Sequence, residues 1–334
     1  MPSIREKSLD LTNVIQTAFD LNASDVHLAP GKPMMMRIDG VIKVIDDELI
    51  AEEDTYAILE NCLSNDTRTK FNARKSYDVS VEIDKTRARI HFHEALRGVC
   101  VSCRLVPLTP KTLDELMIPP IVEKWGRDRG IIIISGLANM GKTTTIASIV
   151  DYINSHRAEK IMILEDPIEY LHKDKKSFIF QREVGINSPS YADALKDILR
   201  EDVNTVIVGE VRNAQAMDAV FGMAENGLKV VTSLHAPSAS DTIERIVNMF
   251  PPSDYERIYK RLSWTLSGIL NQWLMPKRKG GRVLSCEILT NNEAICNLLR
   301  EGKIQQIRPY LDKGTDEICS RERYDKKLES RGIM

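Results

Sequence analysis

The residues best placed to do chemistry are a lysine and the hydroxyls beside it, in the run Gly136-Leu137-Ala138-Asn139-Met140-Gly141-Lys142-Thr143-Thr144. The form G-x-x-x-x-G-K-T is that of a P-loop. Its glycines let backbone N–H groups close around phosphate oxygens, its lysine reaches the β and γ phosphates, and the next hydroxyl ligates Mg²⁺. These nine residues are the expected nucleotide-binding set, and ATP or GTP is the expected ligand. A tight turn that binds nothing is the alternative for the bare pattern. Its setting, between an apolar run and a helical one, favours the phosphate reading.

Three later apolar runs also end in polar groups. Residues 161–164 lead into Glu165-Asp166-Pro167-Ile168-Glu169, residues 205–208 into Gly209-Glu210-Val211-Arg212, and residues 230–234 into His235. Phosphoryl transfer to water needs a positioned base, support for the metal ion and a group that senses the γ-phosphate. Two acidic clusters and a histidine supply candidates for all three. Each acidic cluster has a plainer reading as a helix cap, and Asp166 before Pro167 fits it.

The elements that must position these groups are set by periodicity. The stretch 131–134 reads as a buried strand, and Ile146, Ile149, Val150 and Ile153 recur at helical spacing after the loop. With the runs at 161–164, 205–208 and 230–234, this alternation of strand and helix predicts a parallel sheet covered on both faces. Nucleotide should then sit at the carboxyl ends of the strands. Leu262, Leu266, Ile269, Leu270 and Trp273 read as a further apolar helix, and Tyr324 and Leu328 as the anchors of a polar tail. Upstream, Leu11, Val14, Ile15, Ala18 and Phe19 mark an amphipathic helix, and Asp39-Gly40 between two apolar runs marks a β-hairpin. Pro107, Pro110, Pro119 and Pro120 punctuate the segment ahead of the P-loop strand. The expected organisation is a smaller α+β domain over 1–107, a linker over 108–120 and an α/β nucleotide domain over 121–334.

Composition bounds the partners. The 334 residues hold 46 basic and 48 acidic side chains, a net charge of −2. No basic, aromatic-rich stripe accompanies that balance, so nucleic acid is not an expected partner. No apolar run is long enough to cross a bilayer and no secretory signal is evident, so a cytoplasmic location is expected. Cys100 and Cys103 form a lone C-x-x-C inside an apolar run. They would face opposite ways along a strand, and no second ligand pair is spaced for zinc.

Taken in order, several strings resemble the secretion-superfamily ATPases of the PilT/GspE type. Asn22-Ala23-Ser24-Asp25-Val26-His27-Leu28 and Arg37-Ile38-Asp39-Gly40 resemble the opening motifs of that family's PAS-like domain. Ile163-Leu164-Glu165-Asp166-Pro167-Ile168-Glu169-Tyr170 resembles its Asp box, and Gln181-Arg182-Glu183-Val184-Gly185 is another family string. Leu199-Arg200-Glu201-Asp202 through Val208-Gly209-Glu210-Val211-Arg212 resembles its Walker B, with glycine where other P-loop enzymes carry aspartate. Thr232-Ser233-Leu234-His235-Ala236 resembles its His box. The resemblance implies a RecA-like P-loop domain with a twisted, mostly parallel sheet behind a PAS-like domain. It also implies ATP hydrolysis with Mg²⁺.

The roles it implies are specific. Lys142 would hold the β and γ phosphates, Thr143 would ligate Mg²⁺, Glu210 would support that ion through water, Glu165 would be the base and His235 the γ-phosphate sensor. Arginines of the first domain, among Arg89, Arg97 and Arg104, would approach nucleotide across a boundary. Ala294-Ile295-Cys296-Asn297-Leu298-Leu299-Arg300-Glu301-Gly302-Lys303 resembles a string of the pilus-retraction branch, with Cys296 where arginine is usual. The implied partners are further copies of the chain in a hexamer, an inner-membrane platform protein and a paralogous ATPase, with the ring at the cytoplasmic face of that membrane. Two departures stand out. The loop interior Leu137-Ala138-Asn139-Met140 is poor in Gly, Pro and Ser, although Asn139 tolerates the left-handed conformation. The usual first histidine of the His box is also absent at Asn226-Gly227-Leu228. An accessory paralogue with weak hydrolysis, or an assembly or secretion ATPase, is the alternative reading.

Overall fold

In the computed structural model, which describes residues 9–83, 86–278 and 280–334, the chain divides into two compact units. Residues up to 109, with 167–171, form the first, and residues 110–166 with 172–334 form the second.

The first unit is a six-stranded antiparallel sheet with helices on one face. Its elements run α1 (Leu11–Asp20), β1 (Ala23–Leu28), β2 (Pro33–Ile38), β3 (Val41–Leu49), α2 (Glu52–Cys62), α3 (Asn65–Arg74), β4 (Ser76–Ile83), β5 (Thr86–Ala95) and β6 (Gly98–Pro107), in the sheet order β3-β2-β1-β6-β5-β4. Asp39 and Gly40 both take positive φ, 51° and 86°, as a two-residue hairpin turn requires, and pair Ile38 with Val41. Alternation along β5 decides its faces. Ala88, Ile90 and Phe92 are buried against Val14, Ile15 and Ala18 of the α1 layer, while Arg87, Arg89, His91 and His93 point the other way. The same parity puts Cys103 in the core and leaves Cys100 half-buried on the opposite side.

In the second unit the elements are α4 (Ile121–Arg127), β7 (Gly130–Ser135), α5 (Lys142–His156), β8 (Lys160–Glu165), β9 (Phe178–Glu183), α6 (Tyr191–Ile198), β10 (Thr205–Val208), α7 (Ala214–Glu225), β11 (Lys229–Leu234), α8 (Ala239–Val247), α9 (Tyr255–Thr265), β12 (Leu266–Pro276), β13 (Arg282–Thr290), α10 (Glu293–Arg300), α11 (Arg308–Lys313), β14 (Ile318–Cys319) and α12 (Arg321–Ser330). Strand order is β14-β13-β12-β7-β11-β10-β8-β9. The block from β12 to β9 is parallel, and β13 and β14 add antiparallel edges. All of β7, β10 and β11 is buried, as continuous apolar runs in a doubly covered sheet must be. On α10, Ile295 and Leu299 are buried; on α12, Leu328 is.

One expectation fails. The run from Leu262 to Trp273 is not a single helix: α9 ends at Thr265, and Leu266, Ile269, Leu270 and Trp273 lie on β12. A strand buried on both faces carries no alternation, so apolar spacing alone cannot separate it from a buried helix. Gly268 held the better clue. A Cβ there would lie 2.3 Å from the Trp125 ring, so the strand runs directly over α4.

Candidate functional site

Strand register brings the polar residues to one level of the sheet. Ser135 at the end of β7 pairs with Leu234, and Val208 of β10 pairs with both Thr232 and Leu164. The P-loop, Glu165, Glu210 and His235 therefore all leave the same, carboxyl end of the parallel block. The plainer reading of the acidic residues does not hold. No helix follows Asp166, and α7 is capped by Asn213, whose side chain accepts from the Ala216 N–H, rather than by Glu210.

The loop turns through left-handed residues at both ends and in its middle: Gly136 has φ 148°, Asn139 has φ 63° and Gly141 has φ 80°. Asn139 thus does in this loop what glycine commonly does. Helix α5 begins at Lys142, with Thr143 and Thr144 in its first turn. The Lys142 ammonium lies 2.9 Å from the Gly136 carbonyl oxygen, 2.8 Å from that of Leu137 and 3.3 Å from His235 Nδ1.

From Lys142 the contacts run in a chain. His235 Nε2 is 3.5 Å from a Glu210 carboxylate oxygen, and the other Glu210 oxygen is bound by the Arg212 guanidinium. Facing an ammonium on one side and a carboxylate on the other, the ring is best satisfied neutral, with its proton on Nε2 and Nδ1 accepting from Lys142. The electrostatics agree. Burial, then the Lys142 charge, lower the His235 pKa against an opposing pull from Glu210. Burial brings Lys142 itself down to about 8, with Glu210 pulling the other way.

Gly209, where other P-loop enzymes carry aspartate, lies close against its neighbours. A Cβ there would stand 3.3 Å from the Leu164 carbonyl oxygen and 3.4 Å from both Glu165 Cγ and the Tyr191 hydroxyl, so the Glu165 stem and Tyr191 fill that space. The Gly209 carbonyl is fixed by Ser233 Oγ at 2.6 Å, and its N–H donates to the Leu164 carbonyl at 2.8 Å. Tyr191 is held protonated, first by burial and then by the carboxylates of Asp166, Glu165 and Glu210. Sequence reasoning missed Tyr191 and the role of Arg212. The only signal for Arg212 was its place two residues beyond Glu210.

The arginines belong to the first unit. Arg97 lies in the turn between β5 and β6, with Nη1 2.8 Å from where a Gly31 Cβ would be. Arg104 on β6 donates to Asp25 at 3.1 Å, and Arg89 on β5 pairs with Asp78 at 3.4 Å and Glu169 at 3.3 Å. Leu137, at the head of the P-loop, is about half exposed, and Ala138 is exposed beside it.

Comparison with known proteins adds the family. Residues 5–328 match the model of the Type II/IV secretion system protein family. The chain is 31% identical to the type IV pilus retraction ATPase PilT of Pseudomonas aeruginosa over 331 residues, covering 97% of this chain and 96% of that one. It is 34% identical to a twitching motility protein of Neisseria gonorrhoeae, over 97% of this chain and 85% of the other. The crystal structure of the pilus retraction motor PilT with bound ADP superimposes with a TM-score of 0.85 at 37% identity, covering 98% of this chain and 95% of that one. With its P-loop, strand-end carboxylates and two-unit α/β architecture, the chain belongs to the Type II/IV secretion system protein family, as a PilT-like P-loop ATPase.

Proposed function

We propose that this ATPase is a motor that retracts type IV pili, working as a homo-hexameric ring against a platform protein at the cytoplasmic face of the inner membrane. The observation that carries the reading is the chain Lys142–His235–Glu210, in steps of 3.3 and 3.5 Å, on the strand ends that also bear Glu165. It is supported by the retraction ATPase and twitching motility protein among the relatives. No helix among the described residues is long and apolar enough to cross a membrane.

In this reading the N–H groups of Gly136 to Thr144 cradle the phosphates, and Lys142 turns its ammonium from the loop carbonyls to the β and γ oxygens. A γ-phosphate that competes for Lys142 frees His235 Nδ1, and the ring's other nitrogen passes the change to Glu210. The histidine so senses the phosphate by exchanging hydrogen bonds. Glu165 orients the attacking water and accepts its proton. Thr143 and Glu210 offer the hydroxyl and carboxylate oxygens that suit Mg²⁺, with phosphates and waters completing its shell. Bound there, the ion would neutralise charge on the β and γ phosphates. Residues 1–107 act as the PAS-like lever, 108–120 as the hinge and 121–334 as the motor. Arg104 and Arg89 reach nucleotide across a boundary by exchanging their carboxylate partners for phosphate, and Arg97 reaches it from the turn between β5 and β6.

The test is ATP turnover, ring assembly and twitching in a host stripped of its own retraction ATPase. The wild type should turn over ATP as a hexamer and restore twitching, and Lys142→Ala and Glu165→Gln should do neither, while remaining folded. A monomer in every nucleotide state, or a fully active ATPase that leaves pili extended, would sink the retraction reading.

A further inference from the structure

Strand β12 passes beside the nucleotide site, and two adjacent side chains on it hold the two loops that matter most. Successive residues of a strand point to opposite faces. On one face, Asn271 is fully buried and its Nδ2 donates both to Ser135 Oγ at 2.8 Å and to the Ala236 carbonyl at 2.9 Å. Ser135 is the last residue before the P-loop, and Ala236 comes directly after His235. On the other face, Gln272 is 1% exposed and its Nε2 donates to the Met140 carbonyl at 2.6 Å, inside the P-loop.

The neighbouring atoms reinforce both grips. Thr242 of α8 donates to Ser238 O and shares a 2.8 Å contact with Ser135 Oγ, closing the Asn271 side into a buried polar cluster. The Leu274 N–H points at Met140 Sδ, 3.4 Å away. A Cβ on Gly136 would lie 2.5 Å from the Gln272 carbonyl oxygen, so the strand's backbone and the loop's first glycine touch. The amide oxygens of Asn271 and Gln272 are buried with no partner among the described residues. Both side chains so commit their donors to the loops and leave their acceptors unmatched, a cost that an apolar strand would avoid.

We infer that Asn271 and Gln272 are positioning residues of the ATPase site. Gln272 sets the shape of the phosphate-binding loop through Met140. Asn271 sets the distance between the base of that loop and His235, and so the sensor's reach to Lys142. The Met140 side chain is part of the device: its sulfur takes the place on β12 that a smaller loop residue would leave open. This inference rests on the ATPase assignment but not on the retraction reading.

The experiment is hydrogen exchange by mass spectrometry on the full-length protein, with ADP binding and ATP turnover measured on the same samples. Gln272→Met is close to isosteric and removes the donor; Asn271→Ala removes the other, with Asn271→Ser as the milder version if the alanine variant does not fold. Gln272→Met should deprotect the peptide spanning 136–142 and weaken ADP binding about tenfold, with kcat at saturating ATP changed less than about threefold. Asn271→Ala should deprotect 235–238 and lower kcat about tenfold, with ADP affinity changed less than about threefold. Exchange is read without turnover, so a chain that hydrolyses nothing still reports on both loops. Unchanged exchange in the two loops, or a uniform rise across β12 and β13 with no split between affinity and kcat, would reject the positioning role.

Discussion

The floor of the P-loop and the outer face of the first unit's sheet are both rich in polar side chains, and they are built on opposite terms. On the floor, Asn271, Ser135 and Thr242 are fully buried: Asn271 and Thr242 each meet Ser135 Oγ at 2.8 Å, and Asn271 also holds the Ala236 carbonyl at 2.9 Å, beside the P-loop and His235. On the sheet face, Arg104 and Arg37 lie 3.1 and 3.7 Å from Asp25 with side chains 43% and 32% exposed. Nearby, His91 sits 3.3 Å from Asp78 and stacks on His93. A buried donor that loses its partner costs about 1–3 kcal/mol, whereas an exposed ion pair is worth about 0–1 kcal/mol. The first surface is therefore fixed, and the second can trade partners at little cost. That suits a site whose geometry must not vary and arginines proposed to exchange a carboxylate for a phosphate.

Four measurements would break or sharpen this contrast. The largest effect belongs to the chemistry: Glu165→Gln should cut kcat by about 10²–10⁴ while ADP affinity stays within a few-fold, in single-turnover and binding assays. Next is the buried side of α5. Asn154 is 1% exposed and holds the loop after β8 through bonds with Lys173 O, Lys175 N and Ser177 N at 2.8, 3.0 and 3.3 Å. Asn154→Ala should lower stability by about 2–3 kcal/mol in urea unfolding, and a loss under about 0.5 kcal/mol would erase the distinction between the two kinds of polar surface.

The third is a pH profile. With its pKa at about 8 against an ordinary 10.5, Lys142 is charged below pH 8, and in its proposed role it would bind phosphate there without taking up a proton. Above pH 8 nucleotide binding must recharge it, so the ADP Kd should rise by up to about tenfold per pH unit between about pH 8 and 9.5. The same shift makes the unfolded chain hold more protons between the lowered pKa of about 8 and the ordinary 10.5, so this residue's share of folding stability rises with pH in that window. A Kd flat across that range would mean that Lys142 is not desolvated as described. The smallest effect is expected at Asp25→Asn, which should change stability by less than about 1 kcal/mol despite its two arginine partners. A loss of about 3 kcal/mol would show that the sheet face is as fixed as the floor.

Much of the site was legible because its parts are local. The P-loop, the strand before it and the helix after it sit within one short stretch, and the left-handed Asn139 could be read from residue type alone. The strand-end positions of Glu165, Glu210 and His235 came from apolar runs that the parallel sheet then aligned. What escaped was the set of groups brought in from a distance. Asn271 lies 136 residues from Ser135 and Gln272 132 residues from Met140, and no periodicity encodes such a pairing. They also sit on the strand that read as a helix. Tyr191 was hidden for a related reason: its importance lies in the space beside Gly209, which only the folded backbone defines.

That separation also bears on how the protein is made. Strand β7 carries the P-loop, and its parallel neighbour β12 arrives only after more than a hundred further residues. A ribosome that has just released the loop has released a phosphate-binding sequence without the strand that holds its shape. ATP is therefore expected to lend little binding energy to early stages of folding in this unit, because pairings so distant in sequence form late. The first unit, whose strands are complete by Pro107, has no such delay. A nascent chain stalled before β12 should carry a finished sheet at its N-terminus and a nucleotide site that does not yet bind.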